Sequence, residues 1–370
     1  MKLTDLTSAT LADLRKVRPF PAVSLLMPTH RTEPDNAQDP IRLRNMVTEA
    51  KRRLESDPDV PRDARFDVAA QLDQALGEVD LVHSLDGLVI LASPGEHEVW
   101  SLPREVPERV VFSDTYLTRN LVAARAQNEP YWVLALAIDH ATLWGGTNDH
   151  VEQISLEGFP HKIDDLDWDV EHQERVGNFP SVYTDERTHQ FMREIDTKLN
   201  ALLGRHPRPF YLVGLPPVLA VLDEVRTNHH TEAGRVPKGG LTQGPPHALA
   251  AEVEPAREAY RAKQIGDLAQ RIDAATGRRA MTSGLDEVWR AVLEGRVDTL
   301  VIEDGYRETV QVTENHLMPV PDGTPSNGFP VVDDIVDDIA ERALDRGAQV
   351  YFVPDGELAE RGHIAATLRF

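Results

Sequence analysis

Leu285-Asp286-Glu287-Val288-Trp289-Arg290-Ala291-Val292-Leu293-Glu294-Gly295-Arg296-Val297-Asp298-Thr299-Leu300-Val301-Ile302 changes character at a single residue, and that change decides the fold around it. Residues 285–294 read as a helix, Gly295 closes it, and residues 297–302 read as a strand. Downstream, Val331, Val332, Ile335, Val336, Ile339, Ala340, Ala343 and Leu344 fall on one helical stripe. Asp333, Asp334, Asp337, Asp338 and Glu341 lie opposite, an acidic face suited to a protein partner, and Gly347 ends the helix. Residues 350–353 and 363–368 read as further strands. Helices alternating with strands in this way imply a small three-layer α/β sandwich.

Working outward, residues 131–138 form a strand, followed by 141–144 and 151–156, three strands on short turns that make an antiparallel meander. Residues 158–181 have no usable period and are rich in Asp, His and Trp, which marks a long functional loop. Helix is expected over 185–203, then strand 209–214 and helix 216–227, which adds a parallel strand to the meander. A Gly- and Pro-rich loop spans 234–246, and a long helix spans 247–276. At the other end, residues 3–17 are amphipathic, and Ala22-Val23-Ser24-Leu25-Leu26-Met27 reads as a buried strand stopped by Pro28. Asp39-Pro40 opens a helix with Asp39 as its cap. That helix buries Leu43, Met46, Val47, Ala50 and Leu54 and turns Arg42, Arg44, Lys51, Arg52 and Arg53 outward. Helix 64–79, strands 87–92, 99–102 and 109–112, and a linking helix 116–127 complete this part. The expected architecture is an α/β and α+β multidomain chain, divided at 1–127, 128–256 and 257–370.

The 370 residues hold 39 Lys and Arg against 61 Asp and Glu, a net charge of −22. Such a surface repels a phosphate backbone and leaves only local basic patches for nucleic acid, so DNA is not an expected partner. With no cysteine in the chain, disulfides, thiolate metal sites and a cysteine nucleophile are excluded. No apolar run approaches 18 residues and the first residues lack a signal-peptide core, so no membrane partner and a cytoplasmic location are expected. Nucleotide-cradling glycine loops, the Gly-x-Ser-x-Gly elbow and His-Glu-x-x-His are all missing, and no cofactor is expected.

Two surfaces stand above this background. The loop Pro28-Thr29-His30-Arg31, beside the helix bearing Arg42, Arg44, Arg52 and Arg53, is the densest basic surface, and grouped guanidiniums suit phosphate contact. The loop 158–181 carries Trp168, His172 and Gln173, aromatic and amide groups that stack on or hydrogen-bond to RNA bases. An alternative use of that loop is a metal-assisted hydrolase, with Asp164, Asp165, Asp167, Asp169, Glu171, His172 and Glu174 as ligands. His229-His230 reads as a helix end and Lys238-Gly239-Gly240 as a flexible turn. A third reading is a scaffold binding protein alone.

Three stretches carry a family resemblance. They are residues 23–31 with Asp39-Pro40-Ile41-Arg42-Leu43-Arg44-Asn45, the segment Glu294-Gly295-Arg296-Val297-Asp298-Thr299-Leu300-Val301-Ile302, and the closing Gly362-His363-Ile364-Ala365-Ala366-Thr367-Leu368-Arg369-Phe370. In these the chain resembles the class-I peptide-chain release factors of archaea and eukaryotes. It is most similar to their bacterial archaeo-eukaryotic release factor-like relatives, a group that includes the Balon-type ribosome hibernation factor. The likeness is strongest at the two ends. It implies an N-terminal α/β domain, a ribonuclease-H-like middle domain and a C-terminal domain of the kink-turn-binding ribosomal-protein type. It also implies ribosomal RNA as a partner and a translational GTPase bound through the C-terminal domain. Release factors act through a Gly-Gly-Gln tip, which the loop 158–181 lacks, and Gly239-Gly240-Leu241-Thr242-Gln243 has neither that spacing nor that place. The stop-codon-reading Asn-Ile-Lys-Ser tetrad is also missing. The expectation is therefore a non-catalytic or weakly catalytic translation factor that sits in the ribosomal A site during hibernation or rescue. Its RNA contacts would come from His30, Arg31, Arg42, Arg44, Arg52, Arg53, Trp168, His172 and Gln173.

Overall fold

A computed structural model describes residues 5–148, 150–165, 180–227, 230–313, 316–321, 324 and 329–369. The chain packs as two units, one made of residues 1–127 with 269–370 and the other of residues 128–268. The α/β and α+β character expected from the sequence holds in both.

In the unit of residues 128–268, β5 (Tyr131–Leu136), β6 (His140–Gly146) and β7 (Val151–Ile154) form the antiparallel meander. β8 (His161–Lys162) pairs with β6. β9 (Phe210–Gly214) joins β5 in parallel and β10 (Gly234–Val236) joins β9 in parallel, giving the order β10-β9-β5-β6-β7. β5 is apolar at every position because both of its faces are covered. Trp132, Leu134 and Leu136 meet α5 (Pro180–Arg205) and α6 (Pro216–Val225), while Tyr131, Val133 and Ala135 meet α7 (Pro246–Gly277). Gly146 lies opposite Tyr131, and a Cβ there would stand 2.2 Å from the tyrosine ring, so only glycine admits the ring.

In the other unit, β1 (Ala22–Pro28) is central in the antiparallel sheet β3-β2-β1-β4, whose further strands are β2 (Gly87–Ser93), β3 (Glu96–Leu102) and β4 (Arg109–Ser113). Val23, Leu25 and Met27 pack under α2 (Asp39–Ser56) and α3 (Arg62–Glu78). Ala22 and Leu26 face the side of α1 (Ser8–Leu14) and α4 (Arg119–Gln127). The same unit holds a second sheet, β11-β17-β12-β16, from β11 (Met281–Ser283), β12 (Val297–Glu303), β16 (Gln349–Val353) and β17 (Ile364–Leu368). It packs with α8 (Leu285–Leu293) and α9 (Ile335–Asp345). A small sheet of β13 (Val310–Val312), β14 (Leu317–Pro319) and β15 (Val331–Val332) completes it. Val331 and Val332, expected as the first turn of the acidic helix, are strand, because Asp334 caps the helix from its own side chain and starts it at Ile335.

The acidic face of α9 is the larger departure from expectation. Asp337 is 3% exposed and Glu341 7%, so this face does not await a partner in solvent. Residues more than 200 positions upstream in the sequence cover it. Asp337 accepts the backbone N–H of Arg119 at 2.6 Å and of Thr118 at 3.3 Å, capping α4 from another part of the chain. Glu341 accepts the Thr118 hydroxyl proton. Arg109 donates to Asp334 at 3.1 Å and to the Asp333 carbonyl at 2.9 Å, and Arg119 donates to the Tyr306 carbonyl at 2.6 Å. Burial, reinforced by the neighbouring Asp334 charge, pushes the Asp337 carboxyl up to about 7. Burial and the Asp337 charge raise Glu341 well above the usual carboxylate range.

Candidate nucleic-acid interface

The basic surface read from the sequence is built on α2 and the loop before it. A 3₁₀ turn, Asp35–Gln38, feeds the chain into the helix, and Pro40 sits in its first turn. Asp39 is not the cap. It is already helical, and its buried carboxylate reaches back to accept the His30 backbone N–H at 2.8 Å and face His30 Nδ1 at 3.0 Å. A carboxylate accepts only, so this contact places a proton on Nδ1 and pins the loop to the helix start.

The six cations and histidines expected here meet different fates. Arg31 makes a two-pronged contact with Asp86, at 2.7 and 2.6 Å. Arg42 lies 3.4 Å from Asp39 and 3.5 Å from Glu108, and Arg52 grips Glu49, one turn before it. Arg53 turns inward, donating to the Val110 carbonyl at 2.6 Å and lying over the Phe112 ring at 4.7 Å. Arg44 is exposed and makes no side-chain hydrogen bond or ion pair among the described residues. Exposed ion pairs are worth at most ~1 kcal/mol, so a phosphate can compete for Arg31 and Arg52, whereas Arg42 is held in part by the buried Asp39 carboxylate and Arg53 is committed to the fold. Trp168, His172 and Gln173 lie outside the described residues.

The structure adds Arg62, Arg65 and Phe66, which periodicity did not single out. Between α2 and α3 runs a cleft of ≈ 400 Å³ lined by Lys51, Leu54, Glu55, Arg62, Arg65 and Phe66. The buried stripe of α3 is Val68, Leu72 and Ala75. Phe66 lies off that stripe and is 68% exposed, and this mismatch between an aromatic residue and its helical phase is the signal that finds it. The Arg62 guanidinium stands 5.9 Å from the Phe66 ring centroid and has no carboxylate partner among the described residues. Arg65 donates to three carbonyls, of Val60 at 2.9 Å, Glu55 at 3.2 Å and Asp57 at 2.6 Å, which fixes the α2–α3 turn as the floor of the cleft. Lys51 pairs with Asp73 across it. An exposed aromatic ring with a guanidinium over it that has no carboxylate partner among the described residues suits a base and its phosphate.

For the long loop, the described part, residues 158–165, places His161 in the core. Its ring stacks on Phe191 at 5.4 Å and meets Glu194 at 3.0 Å. Asp164 pairs with Arg187. Among the described residues no group of three His, Asp or Glu side chains could hold a metal, and no helix is long and apolar enough to cross a membrane.

The family model of bacterial archaeo-eukaryotic release factor family 3 matches residues 130–296. The resemblance read from the sequence is thus borne out at family level, but over the middle of the chain rather than at its two ends. No curated protein matches. Among solved structures, archaeal translation termination factor aRF1 is similar at 17% identity, over 100% of this chain and 99% of that one, with a TM-score of 0.27. Archaeal Pelota, in a model of ribosome-bound Pelota and ABCE1, is 15% identical over 75% of this chain and 73% of that one, with a TM-score of 0.39. S. cerevisiae Dom34, a translation termination-like factor interacting with Hbs1, is 11% identical over 75% of each chain, with a TM-score of 0.38. At these scores the superpositions carry no further argument.

Proposed function

We propose that this release-factor-like chain is a ribosome-associated translation factor that binds the A site in hibernation or rescue. The observation that carries the reading is the release-factor family match over residues 130–296. The absence of Gly-Gly-Gln from the sequence argues against peptide release as the activity. In this reading Arg44, Arg62 and Phe66 contact ribosomal RNA together with His30, Arg31, Arg42 and Arg52, while Trp168, His172 and Gln173 serve the long loop's contact. A translational GTPase engages the C-terminal domain, residues 257–370, through a surface other than the acidic face of α9, which is already covered.

The test is sedimentation of the full chain with ribosomes from growing and starved cells. Co-sedimentation that weakens with salt, and more so in Arg44→Glu/Arg62→Glu, supports the reading. Absence from every ribosomal fraction overturns it. An image of the bound particle would then assign the site.

A further inference from the structure

Within residues 128–268, the parallel strands β5, β9 and β10 end together, and the register that pairs Leu136 with Gly214 brings the segments following them side by side. Crevices beyond the carboxyl ends of parallel strands are where α/β sheets hold ligands. Here the turn after β5 carries Asp139 and His140, and the loop after β10 carries Lys238-Gly239-Gly240-Leu241-Thr242-Gln243. His140 Nδ1 lies 2.7 Å from Asp139 Oδ1, and His140 Nε2 lies 2.6 Å from Thr242 Oγ1. Because a carboxylate only accepts, Nδ1 bears a proton, and in the neutral ring Nε2 accepts from the Thr242 hydroxyl. This is the arrangement of hydroxyl, base and orienting carboxylate that activates an oxygen nucleophile.

Three further observations bear on it. Thr242 is 6% exposed and its position is over-determined, since Thr142 donates to its carbonyl at 3.1 Å and Trp144 donates to the Thr142 hydroxyl at 3.0 Å. The backbone N–H groups of Leu241, Thr242 and Gln243 donate to nothing among the described residues, which leaves donors in the loop of the nucleophile for an oxyanion. Ile138 and Leu215, at the ends of the neighbouring strands, are 55% and 53% exposed and supply an apolar rim. Gly239 packs on Leu215, where a Cβ would stand 2.9 Å from the side chain, and Gly240 has a positive φ of 80° with open space beside it.

We propose that Thr242, His140 and Asp139 form a hydrolytic site for carboxylic esters with an apolar acyl group. Thr242 Oγ attacks the ester carbonyl carbon while His140 Nε2 takes the hydroxyl proton. The loop N–H groups receive the charge on the carbonyl oxygen. The C–O bond to the alcohol then breaks, and His140 returns the proton to the departing alcohol. Water, deprotonated by His140, attacks the acyl-threonine, releases the carboxylic acid and restores the Thr242 hydroxyl. Asp139 holds the imidazole in its tautomer.

The full chain is treated with a fluorophosphonate probe and, separately, with p-nitrophenyl butyrate. Probe mass on the peptide holding Thr242, together with ester turnover that falls at least ~100-fold in His140→Gln and in Thr242→Val, is the expected result. Thr242→Ser keeps the hydrogen bond and should label at the same position, so it decides the matter if the valine variant fails to fold. A folded chain that is not labelled at position 242, or labels equally after His140→Gln, overturns the proposal. Ribosome co-sedimentation is measured on the unmodified chain and labelling at position 242 on the same preparation, so the two readings fail separately.

Discussion

Neutralising Asp337 should change how the stability of the unit of residues 1–127 and 269–370 responds to pH, in a direction opposite to the ordinary carboxylate case. A surface-paired aspartate loses its contribution as pH falls. Here burial raises the folded-state value from 3.8 to about 7, so the folded chain binds the proton more tightly than the unfolded one. The contribution is fully present below the unfolded value and is lost as pH rises through about 7. At 1.36 kcal/mol per pH unit the ceiling is ~4 kcal/mol, and between about pH 5.5 and about pH 8.5 the loss amounts to ~2 kcal/mol. Glu341, raised by burial and by Asp337, moves in the same direction and shares this energy rather than doubling it. The groups facing the pair are Asp334 and Asp338 on α9, Arg119 at the start of α4, Arg109 on β4 and Arg15 after α1. The assay is denaturant unfolding of the full chain at stepped pH, with hydrogen exchange at the Thr118 and Arg119 amides locating the effect. Asp337→Asn, neutral at every pH, should flatten the profile. A variant with the wild-type slope, or a wild-type unit that gains stability across this window, refutes the reasoning.

Other outcomes follow from contacts already described. Arg119→Ala removes a buried guanidinium from Asp334 and from the Tyr306 carbonyl and should cost roughly 3 kcal/mol by denaturant unfolding. Gly146→Ala forces a methyl into the Tyr131 ring and should cost at least about 2 kcal/mol, partly recovered in the double variant with Tyr131→Ala. Phe66→Ala should leave the melting temperature within a degree or two, since the ring is exposed, yet weaken ribosome co-sedimentation several-fold. Arg44→Ala and Arg62→Ala should each lower the salt slope of that binding by about one, as measured by titration at stepped ionic strength.

How far residues alone reveal this molecule depends on the length over which a pattern runs. β5, β12, α2 and α8 each sustain a period or an apolar run long enough to identify, and the expected elements match them. β8, β10, β11, β13, β14 and β15 are two or three residues long, and no period exists over so short a span. The face of α9 was misread for another reason. Hydropathy sends aspartates to solvent, and nothing near them in sequence announces that Thr118 and Arg119 will supply their hydrogen bonds. Arg53 is the converse, a charged residue whose long stem and cation are absorbed by Phe112 and a strand carbonyl. The Asp139–His140–Thr242 contact likewise joins adjacent residues to one a hundred positions on, a distance no local pattern spans.

The cap on α4 has a consequence for biogenesis. Synthesis proceeds from the N-terminus, so the first 127 residues leave the exit tunnel long before Asp337 and Glu341 exist. Residues 128–268, whose partners all lie close behind them, can settle in the interval, while the start of α4 waits with bare amides and the leading sheet lacks its final cover. A truncated transcript ending before α9 would therefore yield a nascent protein whose first-made portion never receives that cap.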